Sequence, residues 1–148
     1  MRSLVRSIVI AGGILLLAGV QNASAQIIDS VDFTTSFPFT VGYATVPAGS
    51  YTIRPDEDNP GILYLTGAHE SVLFQATSAQ ARNTPSKTEV VFKRYGNGLV
   101  LKDVWVEGSN IGSESVAAEA ELHMAKHGDS QGEQRVAARR KSNTSNAR

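Results

Sequence analysis

Cysteine is absent from all 148 residues. That excludes disulfides, a thiol nucleophile, thiolate metal ligands and a lipid-anchored lipoprotein N-terminus. Aromatic residues are sparse, at 7% with a single Trp. No serine lies in a G-x-S-x-G setting, so the strand-to-helix nucleophile turn of many hydrolases is missing. No apolar run approaches the roughly 20 residues a membrane-spanning helix needs. The longest, Ile8–Val20, is 13 residues. Excess charge of one sign is also lacking, since 14 Lys+Arg balance 14 Asp+Glu.

That balance conceals a division. Residues 26–127 carry 7 basic against 12 acidic side chains, whereas residues 128–148 carry 5 against 2. An acidic body argues against nucleic acid as the main partner, because phosphate binding needs a basic face.

The N-terminus reads as a secretory signal peptide over residues 1–25. Arg2 and Arg6 precede the apolar run, and Ala23-Ser24-Ala25 forms an A-x-A cleavage site. The expected mature chain begins at Gln26 with no transmembrane segment, and is exported to the periplasm or the medium. Its size suits one domain. Without disulfides it must hold together by core packing and strand pairing.

The informative stretch is Thr88–Glu107. Two β-rich runs flank Tyr95-Gly96-Asn97-Gly98, and Asn-Gly is a strong hairpin signal because both central residues of a type I′ turn need positive φ. With Asn97-Gly98 central, Tyr95 faces Val100 and Val91 faces Val104. With Gly96-Asn97 central, the pairing shifts by two residues. One face carries Val90, Phe92, Leu101 and Trp105; the other carries Val91, Tyr95, Val100, Val104 and Val106. Both are apolar, so either the protein covers both or one is a contact surface. Asp103 and Arg94 are expected to form a polar pair.

Further strands are expected over Val31–Val41, Ser50–Arg54, Ile62–Thr66 and Ser71–Ala79. Turns and loops lie between, notably Pro55–Gly61. After a Gly/Ser/Asn loop at 108–113, Ser113 or Ser115 caps a helix to about His127. Residues 128–148 have almost no large apolar side chains and read as a disordered basic tail. The expected fold is all-β: an antiparallel β-sandwich or small barrel of about six to seven strands over 26–127, with one short C-terminal helix.

Val46-Pro47-Ala48-Gly49-Ser50-Tyr51-Thr52-Ile53 resembles the PAG-x-Y-x-I turn and strand of prealbumin-like and carboxypeptidase-regulatory-like β-sandwich modules. A longer pattern links Phe37–Gly42, Pro47–Tyr51, Val91–Gly96 and Val104-Trp105. It is similar to small exported β-proteins of soil bacteria over residues 31–126. That resemblance implies an exported all-β domain and carries no activity and no site residues.

Candidate chemistry is thin. Asp56, Asp58 and Asn59 have D-x-D spacing that suits a weak calcium loop, against the simpler reading of a solvated acidic turn. Glu119, His123 and His127 share one helix face at zinc-compatible spacing, against the simpler reading of a polar helix surface. His69 stands alone in a turn. No cofactor is expected. The reading is a non-enzymatic exported protein acting by binding or assembly, with a protein partner or its own copies, at the envelope or outside the cell. Its expected binding surface is Tyr95, Val100, Val104 and Val106. The alternatives are a fimbria-like or filament subunit that donates its N-terminal strand, and a secreted carbohydrate-binding module or hydrolase that uses exposed aromatics such as Trp105.

Overall fold

The computed structural model describes residues 30–128 and 130–141. The expected signal peptide lies outside the described residues. Ten strands and one helix follow in order. They are β1 (Ser30–Thr35), β2 (Phe39–Val41), β3 (Ala44–Val46), β4 (Gly49–Pro55), β5 (Ile62–Thr66) and β6 (Ser71–Gln80). Then come β7 (Glu89–Tyr95), β8 (Gly98–Trp105), β9 (Ile111–Ser115), α1 (Glu119–His127) and β10 (Ser130–Lys141).

Eight strands close on themselves in the order β8-β7-β10-β1-β4-β5-β6-β9, and β9 returns to β8 through Asp103↔Glu114 and Val104↔Ser113. All eight junctions are antiparallel. The all-β expectation holds, but as a closed barrel of eight strands in place of a sandwich or barrel of six to seven. Closure leaves no edge within the ring. The β2–β3 hairpin is extra, attached by one parallel pairing of Thr40 with Val100.

Three local features explain the difference. The amphipathic run Val31–Val41 is broken at Ser36-Phe37-Pro38 into β1 and β2, because Pro38 has no N–H to donate to a ladder. The Gly/Ser-rich segment expected to be loop and helix cap is partly strand β9, which holds the serines at 113 and 115 in pairing with β6. The residues expected to form a disordered tail are instead largely β10, with residues 142–148 outside the described set. A strand bonded on both edges, to β1 and β7, draws its stability from main-chain pairing. It therefore needs few apolar anchors. Val136 and Ala138 turn inward and pack against the core, and Ala137 and the flanking Arg135 and Arg139 face out.

The barrel interior is filled. Phe33, Phe39, Tyr51 and Phe92 interlock with ring centroids 4.9–6.2 Å apart, and Phe37 meets Phe92 edge-on at 5.3 Å. Ile53, Leu63, Leu65, Leu101 and Val104 complete the core. Each such side chain contributes roughly 1.5–3 kcal/mol on full burial. Tyr51 reaches the Pro47 carbonyl at 2.5 Å, so its hydroxyl is satisfied where the ring is enclosed.

The hairpin turns at Gly96-Asn97, with Tyr95 opposite Gly98 and Gly96 at φ 56°. A bulge then skips Lys102: Phe92 pairs Leu101, but Val91 pairs Asp103. The extra residue reverses the facing of everything beyond it. Val104 therefore joins Val90, Phe92, Leu99 and Leu101 in the core, and Asp103 and Trp105 turn outward. Helix α1 lies over the turn end of the hairpin's outer face, where the Tyr95 hydroxyl donates to buried Glu121 at 2.9 Å. No helix among the described residues is long and apolar enough to cross a membrane.

Candidate functional site

The expected apolar binding surface is not a surface. Tyr95, Val100 and Val104 are buried, and Val106 is half-buried against the core. The physical reason is cover on both sides: the barrel interior takes Val104, and strand β2 and helix α1 cover Val100 and Tyr95. Arg94 does not meet Asp103, because the bulge separates their faces. It donates to Gln134 at 3.0 Å.

The acidic turn is occupied by its own backbone. Asp56 Oδ1 accepts the N–H groups of Asp58 and Asn59 at 3.0 and 2.8 Å, and Oδ2 accepts the Tyr64 hydroxyl at 2.9 Å. The Tyr64 bond, followed by the backbone bonds, lowers the Asp56 pKa. Asn59 Oδ1 is spent on the N–H of Gly61. These oxygens hold a turn together. The rings of His123 and His127 stack 6.4 Å apart on an exposed helix face, and His69 is exposed in its turn. Among the described residues no group of three or more His, Cys, Asp or Glu could hold a metal ion.

What the barrel does assemble lies on its outer wall, across β10, β7, β8 and β9. Antiparallel register sets Arg135, Val91, Asp103 and Glu114 side by side in one row, and Glu89 beside Trp105 in the next. Val91 is fully buried beneath them. The loop over residues 81–87 folds against this wall. It is held by bonds from Gly108 N–H to Pro85 O at 3.0 Å and from Ala81 N–H to Asn110 O at 2.8 Å. Between loop and wall is a notch of about 490 Å³, lined by Asn83, Lys87, Glu89, Asp103, Trp105 and Arg135 among others.

Its electrostatics are uneven. Glu89 is enclosed, with 7% of its side chain exposed. Oε1 is ion-paired with Arg135, which also pairs with Glu133 at 3.1 Å. Oε2 is buried and has no hydrogen bond, although Lys87 Nζ stands 3.4 Å away. Asp103 is half-buried, and burial pushes its carboxyl up to about 6. Lys102 pulls the other way, and Glu114 and Glu133 push further up. Lys102 itself is ion-paired with Glu114, so its charge is shared. Such a displaced acid in a concavity is a candidate functional group. Trp105 is half-buried and stands at the notch. It rests on Gly112, where a Cβ would overlap the indole and come 2.7 Å from the Val104 carbonyl oxygen.

Two other concavities carry less chemistry. A hollow of about 630 Å³ spans the outer faces of β1, β4 and β10. Its polar groups satisfy each other, Thr34 with Ser50 at 2.8 Å and Thr52 with Asp32 at 2.7 Å. A smaller apolar one, about 310 Å³, is lined by Tyr43, Leu73 and Val116, all exposed.

Sequence reasoning does not single out Glu89, and it places Arg135 in the expected basic tail and not beside the hairpin. The available signal was an acid at each end of the apolar hairpin runs, Glu89 and Asp103, in positions where a strand covered on both faces has no use for charge. No family model, curated protein or solved structure matches the chain.

Proposed function

We infer that this chain is an exported, non-enzymatic binding protein that meets a partner at the cell envelope or outside the cell through the acidic notch at Glu89, Asp103 and Trp105. The observation that carries the reading is the combination of a filled barrel and, among the described residues, an outer concavity with incompletely paired acids. Small-ligand sites are concave and hold a few convergent polar groups. Here that description fits the wall and not the interior. Binding is favoured over catalysis by the state of the acids. Glu89 is tied to Arg135, so it is not a free base, and His69, His123 and His127 are absent from the notch lining. Export is supported by Arg2, Arg6, the Ile8–Val20 run and Ala23-Ser24-Ala25.

The filament alternative loses its basis in β1, which is bonded on both edges within its own chain, to β4 and β10. The carbohydrate alternative keeps one supporting observation, the half-buried Trp105 at the notch beside Asn83.

Co-sedimentation of the purified protein with bacterial envelope fragments tests the reading. Trp105→Ala is expected to weaken it at least tenfold while the protein stays folded. Equal sedimentation of the two proteins, or none of either, contradicts it. Export is tested separately, by producing the full chain in bacteria and finding a mature N-terminus at Gln26 outside the cytosol. An intact Met1 on cytosolic protein contradicts export.

A further inference from the structure

The notch carries negative charge that its own cations do not fully use. Glu89 Oε2 is enclosed and accepts no hydrogen bond. A buried carboxylate oxygen in that state is costly, and what relieves it is an N–H donor bearing positive charge. Asp103 shows the same deficit. It makes no hydrogen bond among the described residues, and burial is the main reason it resists ionisation, with Lys102 and Arg135 pulling the other way without offsetting it.

The kind of cation follows from the surroundings. A divalent metal would want three or more hard ligands, and the described residues hold no such group. The space, about 490 Å³, suits an organic head with several carbons. Trp105 adds an indole beside the acids, and aromatic rings attract ammonium groups. Lys87 supplies a further indication, since its ammonium already stands 3.4 Å from Glu89 Oε2. Two-thirds of that side chain is exposed, so the pairing is loose and a better-placed ammonium can displace it.

We propose that the notch between Glu89, Asp103 and Trp105 is a binding site for a primary alkylammonium group, with Lys87 acting as a built-in competitor that swings out when the ligand enters. The proposal rests on the binding reading above and names its ligand class. Two sources present this chemistry, the lysine side chain of a protein partner and a free diamine.

The groups facing Asp103 set a pH dependence. They are Glu89 and Lys87 from β7 and its loop, Lys102 from β8, Glu114 from β9, and Glu133 and Arg135 from β10. Ammonium binding needs Asp103 ionised, so affinity rises as pH passes upward through the region near 6 and falls below it.

The test is calorimetric titration of the purified protein with cadaverine and with Nα-acetyl-lysine methylamide, at pH 7.5 and pH 5 in low salt. Saturable one-site binding at pH 7.5, at least fivefold weaker at pH 5, is expected for one or both probes. Tighter binding of the lysine derivative points to a protein partner, and tighter binding of the diamine to a free amine. Lys87→Ala should tighten binding severalfold, and Asp103→Asn should weaken it at least tenfold. These opposite directions separate a site from a general loss of structure, and the Lys87 change is at an exposed loop position that does not threaten folding. Absence of binding to the Lys87→Ala variant, or equal binding by the Asp103→Asn variant, overturns the proposal. If envelope fragments still bind through Trp105 while both amines fail, the ammonium assignment falls and the binding reading stands.

Discussion

Replacing Asp103 with Asn should make the protein more stable at neutral pH, although it deletes a charged residue flanked by Lys102. The magnitude follows from the displaced acid. A carboxyl shifted from its ordinary 3.8 to about 6 favours the neutral form. At 1.36 kcal/mol per tenfold change in proton affinity, that would be about 3 kcal/mol for a fully enclosed group. Asp103 is only half-buried and solvent screens it, so about 1–2 kcal/mol is the working figure. Between pH 3.8 and about 6 the folded protein keeps a proton that the unfolded chain has released. This group therefore lowers stability as pH rises through that window, and its full cost is present above it. The amide removes the cost without changing shape. Chemical denaturation at pH 4, 5, 6, 7 and 8 is the assay. The variant should gain about 1–2 kcal/mol at pH 7, or roughly 4–8 °C in Tm, and nothing near pH 4. A variant less stable than the parent at pH 7, with the slope between pH 4 and 7 unchanged, would refute the reasoning. It would show that Asp103 is held by a cation in the native fold.

Three further outcomes are expected. Ending the chain at Gly128 removes β10, leaving β7 and β1 without a common neighbour, so cooperative thermal unfolding should disappear; a sharp transition would show that the barrel closes without it. Gly112→Ala forces a methyl group into Trp105 and the Val104 carbonyl, and should cost about 1–3 kcal/mol in urea denaturation and red-shift tryptophan emission. Asp56→Ala should remove part of the stability lost on acidification below pH 3.8, since hydrogen bonds to that carboxylate lower its pKa in the fold; added calcium should leave the parent's Tm unchanged, and a rise of several degrees would restore the metal reading of Asp56, Asp58 and Asn59.

How much of this was legible in the chain depends on what each segment uses to hold its place. Strands β4 to β8 announce themselves because Tyr51, Ile53, Leu63, Leu65, Phe74, Val90 and Phe92 alternate with outward-facing residues, and periodicity is a local property. Strand β10 does not, because Ser130–Lys141 offers only Val136 and Ala138 to the core and is otherwise held by backbone bonds to two distant neighbours. Strand β9 fails for a related reason: Gly112 is required by the Trp105 ring, and glycine and serine read as loop. The site was obscured by one residue. Without the bulge at Lys102, Val104 would face out and Asp103 in, and the apolar surface expected at Tyr95, Val100, Val104 and Val106 would follow from simple alternation. Bulges arise from the pairing of whole strands, and no residue type near Lys102 marks one.

The most direct measurement is a backbone amide NMR titration of the purified protein with cadaverine at pH 7.5. The account predicts shifts confined to residues 81–91, 102–106 and 133–135, with the core amides of β4 and β5 unmoved. Shifts centred on β4 and β5, or on the hollow at Asp32 and Thr52, would place binding elsewhere and contradict the assignment of the outer wall as the working face of the barrel.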